Sequence, residues 1–497
     1  MSARFLASVT LAATVGLSTA ALAEAPAPIQ WPCLNPPTMS SAIPGDTVLS
    51  DQPSFNCFAW QEFIALNWPA GKSGAPGPAS AFGTPGDRSP VVFETYKNVL
   101  AFLKPDGSAP GGWNDSLVSA AAIDPAHPYA RPMEDRISKF RVHFNGQDIA
   151  QAGIPDPAEA WLADKDGNLV WYEVLVNRPE FEYFRTTGYY NSETQSRAMI
   201  TDRTKKPDPE LKIDLPKGSL AGGPGAIELK AAWVTVPLPF GTDWSKTRWS
   251  RYKLATGMFC DSFFQGRPTC TYKTLALVGL HILHKTTSQP SWVWASFEHV
   301  DNAPSQAEVD AGTVAGDYTF FSRNCRPLSV PAECGAKQKQ TSCVPNTPPI
   351  YPVTVSGGNV TSKCPPYPIQ VTRAFATPDT NENPVVRTNK AAQALIRSAN
   401  PDSVYQYYKL VNVLWNDSPV DENRGFKPPV APLSDTAFRP NPNAFPMANT
   451  TLETYFQNLT CISCHSHAKI AKSPLNADPI HASDYSFVFQ MAGPQPK

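Results

Sequence analysis

The sequence has few charged residues and no sizeable run of one sign. Charged residues make up 17% of the 497 residues, and 42 basic side chains nearly balance 43 acidic ones. Proteins that bind nucleic acid or an anionic membrane usually carry a basic patch or tail, so neither is expected as the principal partner. The chain also lacks G-x-S-x-G, Walker and H-E-x-x-H motifs, which leaves hydrolase and nucleotide-binding functions without support.

Long apolar runs are missing as well. The roughly 18–20 apolar residues that span a bilayer occur nowhere after the N-terminus, so no transmembrane anchor is expected. Residues 1–23 have the pattern of a secretory signal peptide, with Arg4, an apolar stretch and an Ala21-Leu22-Ala23 cleavage site. The mature protein is therefore expected to begin near Glu24 and to be soluble in the periplasm.

Cysteine, in contrast, is plentiful. Of the ten cysteines, two belong to a C-x-x-C-H motif and eight do not. An even number in an oxidising compartment predicts disulfides. Proximity favours Cys33–Cys57 and Cys260–Cys270, with the last four pairing among themselves. A zinc cluster made by those four is the alternative, although they lack the close C-x-x-C spacing of zinc ribbons. These last four are Cys325, Cys334, Cys343 and Cys364.

The C-x-x-C-H motif is Cys461-Ile462-Ser463-Cys464-His465. Residues at i, i+3 and i+4 share one face of a helix, so two thiols and an imidazole can meet one ligand. This arrangement resembles the haem-attachment motif of c-type cytochromes, in which the cysteines form thioethers with the macrocycle and the histidine binds iron. The alternatives are a chance match, a redox C-x-x-C or a zinc half-site.

The resemblance implies one covalent haem c, attached by Cys461 and Cys464, with His465 as the proximal iron ligand. The chain as a whole resembles the large exported bacterial proteins of the cytochrome c family. Only 32 residues follow His465, too few to enclose a haem, so upstream segments are expected to complete the pocket.

The opposite iron ligand is less well defined. Met491 follows His465 by 26 residues and is the candidate distal ligand, because a thioether there would suit electron transfer. A methionine packed in the core is the competing interpretation. Met447 and His481 are further candidates.

His281, His284 and His299 form a second group that could carry chemistry. On a helix, His281 and His284 would share a face and could bind a metal. On a strand they would point to opposite faces, and only one could reach the haem. The strand is favoured. The three histidines are candidate catalytic residues or distal iron ligands, and a structural role for each is the competing interpretation.

The predicted fold class is α+β. Periodicity and turn signals in residues 24–301 predict a β-rich antiparallel sandwich or barrel-like body, after a helix over residues 55–68 capped by Ser54. Residues 302–380 are expected to be a disulfide-stapled, proline-rich insertion. Residues 381–497 are expected to be a helical C-terminal segment that carries the haem.

Individual elements are predicted from the same signals. Strands are expected over residues 91–96, 227–236, 271–284 and 292–300, with a hairpin over 160–176. Helices are expected over residues 181–190, 389–399 and 403–415. A Thr450-x-x-Glu453 capping box predicts a further helix, from Thr451 into the cysteines.

Two functions from different classes fit these features. The first is a periplasmic mono-haem cytochrome that cycles between Fe(II) and Fe(III) and exchanges electrons with a redox partner protein. The second is a haem c-dependent oxidoreductase, peroxidase- or oxygenase-like, whose large body holds a small-molecule substrate over an open iron site. A sensory or structural haem in a binding or assembly protein is a third possibility.

Overall fold

A computed structural model of the protein describes most of the chain. The described residues are 29–71, 76–115, 124–133, 141–144, 147–150, 154–155, 161–199, 213–261, 269–326, 334, 343–349, 353–417, 438–475 and 483–494. The predicted signal peptide, residues 1–23, and the candidate ligand His481 lie outside this part.

The α+β prediction is confirmed: the fold is built around a half-barrel sheet with several helices. The strands are β1 Lys97–Asn98, β2 Arg131–Pro132, β3 Arg141–Phe144, β4 Gln147–Ala150, β5 Ile154–Pro155, β6 Val170–Val176, β7 Ile227–Thr235, β8 Leu254–Cys260, β9 Cys270–His284, β10 Val293–His299, β11 Val355–Ser356, β12 Asn359–Val360 and β13 Tyr408–Leu414. The helices are α1 Gln52–Leu66, α2 Arg178–Thr187, α3 Ser192–Met199, α4 Gln306–Asp310, α5 Pro384–Ala399 and α6 Cys461–His465.

The main sheet has eight strands in the described part of the chain, ordered β1-β6-β7-β9-β10-β13. β8 pairs with the first half of β9, and β2 pairs with β8 in the one parallel contact of this sheet. At 15 residues, β9 is long enough to pair with β7, β8 and β10. The predicted neighbouring strands 271–284 and 292–300 are thereby confirmed.

One face of the sheet is covered by α1 and α5. Phe63 of α1 stacks on Phe297 of β10, with 4.5 Å between the ring centroids. Nearly all of α1 is buried, as its apolar residues on several sides predict. The cap is Asp51 and not Ser54 as predicted: the Asp51 carboxylate accepts the Ser54 N–H at 2.8 Å, so Ser54 lies inside the first turn.

The C-terminal segment lies against the opposite face. A Cβ atom on Gly279 of β9 would lie 2.3 Å from the Thr451 hydroxyl, so a side chain there would push the segment away. Glu298 of β10 accepts the backbone N–H of Thr450 at 3.1 Å and its hydroxyl at 2.8 Å. The chain that leads to the C-x-x-C-H motif is thus fixed directly on the sheet.

Two other predicted elements are wrong. Residues 403–415, predicted as a helix, form a 3₁₀ turn, Val404–Tyr407, followed by β13. Pairing of β13 with β10 supplies the backbone hydrogen bonds that a helix would otherwise make, and its apolar residues become buried in the sheet. Residues 91–96, predicted as a strand, form a 3₁₀ helix in which the Glu94 carboxylate accepts the Val91 N–H at 2.8 Å.

The predicted helix from Thr451 is also wrong, because α6 begins only at Cys461. The carboxylate of Glu453 accepts the N–H of Asn449 at 3.0 Å, and Asn449 Oδ1 accepts the N–H of Thr451 at 3.0 Å. These bonds close a single turn one residue earlier than the predicted box. The Thr450 hydroxyl has other partners: it donates to Glu298 at 2.8 Å and accepts from Asn302 Nδ2 at 3.4 Å.

The other elements are confirmed. The hairpin turns at Gly167 with a positive φ of 86°, and Asp164 N–H donates to the Asn168 carbonyl at 2.9 Å. The strand over residues 227–236 is β7, and the helices over 181–190 and 389–399 are α2 and α5. The described helices include none long and apolar enough to cross a membrane.

The disulfide prediction is confirmed. The bonds are Cys33–Cys57, Cys260–Cys270, Cys325–Cys343 and Cys334–Cys364. Because the last four sulfurs are bonded to each other, they are not available as zinc ligands, and the zinc-cluster alternative is wrong. Cys461 and Cys464 remain as free thiols.

Candidate functional site

The two free thiols and His465 lie on one helical turn. The turn begins after Thr460, whose N–H donates to the Ser463 hydroxyl at 3.2 Å. Cys461, Cys464 and His465 all line one cavity between α6 and the sheet. The C-x-x-C-H residues therefore face a common space.

The cavity is partly open to solvent. Its empty space, counted together with the open mouth, is about 790 Å³. Its wall is mostly apolar. The apolar side chains come from the sheet and from the C-terminal segment, and include Leu283, Trp294, Met447, Leu452, Phe456 and Phe487.

The thiols are not poised for redox exchange. Reactive C-x-x-C cysteines have depressed pKa values, because the thiolate is the nucleophile. Here burial, and after it the charge of Glu453, raises the pKa of Cys464 to about 11 and also raises the pKa of Cys461. Both sulfurs are protonated at neutral pH, which disfavours the redox C-x-x-C alternative.

His465 is held in one orientation. Its Nδ1 lies 2.8 Å from the Tyr485 carbonyl oxygen, and its ring packs at 4.6 Å from Trp294 and 4.8 Å from Phe487, centroid to centroid. A carbonyl only accepts, so Nδ1 carries the proton and Nε2 keeps its lone pair. Burial lowers the pKa of His465 to about 3 against the opposing effect of the Tyr485 carbonyl. The imidazole is thus neutral, with Nε2 as its basic atom.

Three ionisable side chains share the cavity wall. Lys230 on β7 and His281 on β9 are cross-strand partners, and both line the cavity. Nε2 of His281 lies 3.2 Å from a carboxylate oxygen of Glu453. An imidazole and a carboxylate at this distance can hold or pass a proton.

The structure separates the three candidate histidines. His284 points to the opposite sheet face, as expected for a strand, where its Nδ1 bonds to Glu62 and its Nε2 accepts the Gly225 N–H at 3.2 Å. His299 is buried against Tyr252, with ring centroids 3.7 Å apart. Only His281 of the three lines the cavity.

Both ring nitrogens of His299 are occupied. Nε2 donates to the Arg251 carbonyl and Nδ1 accepts the Asp301 N–H, each at 3.1 Å. Burial lowers the pKa of His299 to about 3, so the neutral form persists. His299 and His284 therefore have structural partners that account for them.

The candidate methionines also lie in different places. Met491 ends the 3₁₀ helix Val488–Met491 and packs on the cluster that contains Phe489. Met447 lines the same cavity as His465, and Met491 is not in that lining. Iron ligation by either methionine remains a prediction.

Lys230 in the cavity wall and Glu228 beside the cavity were not predicted. Both alternate with apolar residues along β7 and so lie on one face, and polar side chains at i and i+2 in such a strand are a readable signal. The Tyr485 carbonyl carries no side-chain signature and could not have been found. Lys230 lies beside His281 because β7 pairs with β9, and these two residues are 51 positions apart in the sequence.

The described residues contain no group of three or more His, Cys, Asp and Glu side chains placed to hold a metal ion. A structural zinc site needs four convergent ligands, so the half-site alternative for Cys461, Cys464 and His465 gains no support. A metal site made by His281 and His284 is excluded by their opposite directions.

Comparison with known proteins gives no relative from which a function could be transferred: no protein-family model, no curated protein and no solved structure matches this chain.

Proposed function

We propose that this protein is a mono-haem c-type cytochrome that transfers electrons in the periplasm. The observation that carries the proposal is the meeting of two free thiols and a neutral imidazole on one wall of a mostly apolar cavity. Four disulfides elsewhere in the chain are typical of an oxidising compartment. A redox partner protein, and neither nucleic acid nor a membrane, is the proposed counterpart.

The residues present fit a covalently attached haem. Cys461 and Cys464 would hold it through thioethers, and Nε2 of His465 would be its proximal ligand. The haem would supply one-electron chemistry between Fe(II) and Fe(III). The chain supplies the rest: Tyr485 orients the imidazole, and the apolar wall excludes water, two factors that tune redox potential.

A haem c-dependent oxidoreductase is the second candidate function. The pairing of His281 with Glu453 inside the same cavity favours it, because peroxidase- or oxygenase-like chemistry needs an acid/base group beside an open iron position. A small-molecule substrate would then share the cavity. The state of the sixth iron position distinguishes the two functions.

Removing either thiol is expected to abolish stable covalent haem attachment. Cys461→Ala and Cys464→Ala should each lose most of the peroxidase-active haem stain on a denaturing gel, because a single thioether leaves half of the link. Ile462→Val is the matched control, since it changes the motif without touching a sulfur. Full staining of both alanine variants, or none in the native protein, would refute the assignment.

Optical spectra test the sixth position. We expect a low-spin iron that does not bind carbon monoxide in the native protein, and a high-spin, CO-binding iron in Met447→Leu, because Met447 is the thioether in the cavity lining. Met491→Leu is the control and should keep the native spectrum.

Three other results would revise this picture. A change in Met491→Leu alone would move the distal ligand to Met491, and a change only in His281→Leu would move it to His281. A native protein that is already high-spin and binds carbon monoxide would favour the oxidoreductase.

A further inference from the structure

The loop that contacts His465 has an unusual backbone. Asp484 and Tyr485 are consecutive residues with left-handed φ angles of 54° and 63°. Residues other than glycine rarely adopt this region, and they keep such a strained backbone only where the surrounding structure enforces it. The Tyr485 carbonyl that accepts from His465 therefore belongs to a segment that must be held in place.

Contacts from the β9–β10 connection hold this segment. The ammonium of Lys285, directly after β9, bonds to the Asp484 carboxylate, and Trp292 Nε1 donates to the Asp484 carbonyl at 2.8 Å. The Leu215 N–H adds a bond of 2.9 Å to the same carboxylate. Lys285 also donates to Asp214 at 2.9 Å. Asp484 is thus fixed on its side chain and on its main chain.

The Lys285–Asp484 pair is almost fully buried, with 2% and 5% of the two side chains exposed. Buried ion pairs seldom add more stability than apolar residues of the same size, and their best-attested use is to specify one arrangement. Asp484 is the residue before Tyr485, whose carbonyl lies 2.8 Å from Nδ1 of His465. The arrangement specified here is the position of that carbonyl.

We propose that Lys285 and Asp484 are positioning residues that hold the Tyr485 carbonyl against the imidazole of His465. The inference deepens the proposed haem site and, in its redox consequence, rests on it. An acceptor on Nδ1–H raises the basicity of Nε2, and a more basic ligand stabilises Fe(III) relative to Fe(II). Loss of the pair should weaken the hydrogen bond and raise the midpoint potential.

The test compares three variants of the full-length protein with covalent haem. Lys285→Met should shift the midpoint potential upward and, on the five-coordinate ferrous haem expected in a Met447→Leu background, shift the iron–histidine stretching band to lower frequency. Lys285→Arg should restore both towards the values of the parent protein. Lys217→Met is the matched control, because Lys217 bonds to Asp214 at 3.1 Å in the same cluster. It should leave band and potential unchanged.

A further variant guards against misfolding. Lys285→Met with Asp484→Asn removes both charges and leaves neither of the pair buried alone, so this protein should keep its melting transition and still show the shifted band. Native band and native potential in both Lys285→Met and the double variant would show that the pair acts only on stability, and would overturn the proposal.

The positioning can also be measured without haem. In the full-length chain with Cys461→Ala and Cys464→Ala, nitrogen-15 NMR should find His465 protonated on Nδ1, and Lys285→Met in that background should shift protons to Nε2. An unchanged tautomer would overturn the positioning role. Absence of haem stain in the native protein would overturn the proposed function instead, so the two failures are separable.

Discussion

Glu298→Ala is expected to lower the free energy of unfolding by about 3–5 kcal/mol, because it leaves the buried guanidinium of Arg373 without its carboxylate partner. The Glu298 carboxylate on β10 contacts Arg373 and lies 3.3 Å from Lys409 Nζ. It also accepts the N–H and the hydroxyl of Thr450. The substitution therefore removes a partner of two cations and of the Thr450 N–H and hydroxyl donors. It also releases the segment that leads to the C-x-x-C-H motif.

Urea unfolding followed by tryptophan fluorescence measures this effect. Glu182→Ala is the control: its exposed ion pair with Arg185, at 2.7 Å, should contribute less than ~1 kcal/mol. Burial alone would raise the pKa of Glu298, but Arg373 and Lys409 outweigh it and lower that pKa to about 2. Stability from the native carboxylate is then present above pH 4.5 and is lost as pH falls to about 2. The difference between the two proteins should narrow across that window, and a difference below ~1 kcal/mol at pH 7 would contradict the prediction.

The sequence predicted what local signals determine. Alternating apolar residues specified β7, β9 and β10, and Asp166-Gly167 specified the turn before β6. Proximity predicted two of the four disulfides, and the even cysteine count predicted that the last four cysteines pair among themselves, without giving their partners. The opposite directions of His281 and His284 followed from the period of a strand alone.

Contacts between distant segments decided the rest. Residues 403–415 suit a helix or a strand, and the edge of β10 selects the strand. The Thr450-x-x-Glu453 pattern predicted the start of a helix. The sequence does not show that the Thr450 hydroxyl donates to Glu298, which lies 152 positions earlier. Likewise, the Tyr485 carbonyl and Met447 join the wall around His465 through tertiary packing, for which a one-dimensional pattern has no signal.

A second buried carboxyl group predicts a gain of stability. Glu228 of β7 lies beside the cavity, and Glu180 of α2 is fully buried next to it. Among the described residues, no hydrogen-bond donor reaches either carboxylate oxygen of Glu180 or one of the two oxygens of Glu228. Burial raises the pKa of Glu228 to about 7, with Asp484 adding to the shift and the Ser486 hydroxyl opposing it.

Glu180 behaves in the same way. Burial, then the neighbouring Glu228 and Asp484, raises its pKa, and the charge of Lys285 opposes the shift. Because two adjacent buried carboxylates repel each other, the pair stays at least partly protonated at neutral pH. The charged groups that face this pair are thus Asp484, the residue before Tyr485, and Lys285, the residue after β9.

Glu228→Gln is therefore expected to stabilise the protein at pH 8 and to change little at pH 4. A carboxyl whose pKa is raised on folding binds its proton more tightly in the native state, so wild-type stability falls as pH rises from about 4.5 to about 7. A neutral amide avoids this loss of stability, which amounts to about 3 kcal/mol at about 1.4 kcal/mol per pKa unit. Its NH₂ group also gives Glu180 a hydrogen-bond donor. Urea unfolding at both pH values measures the difference. Glu173→Gln should instead lower the stability at pH 8, since the buried Glu173 carboxylate accepts from Arg131 at 2.9 Å and from Trp233 at 2.8 Å. A Glu228→Gln variant that is less stable than the native protein at pH 8 would contradict this prediction. Glu228 would then be an ionised carboxylate with a partner, and the Glu180–Glu228 pair would not hold a proton at neutral pH.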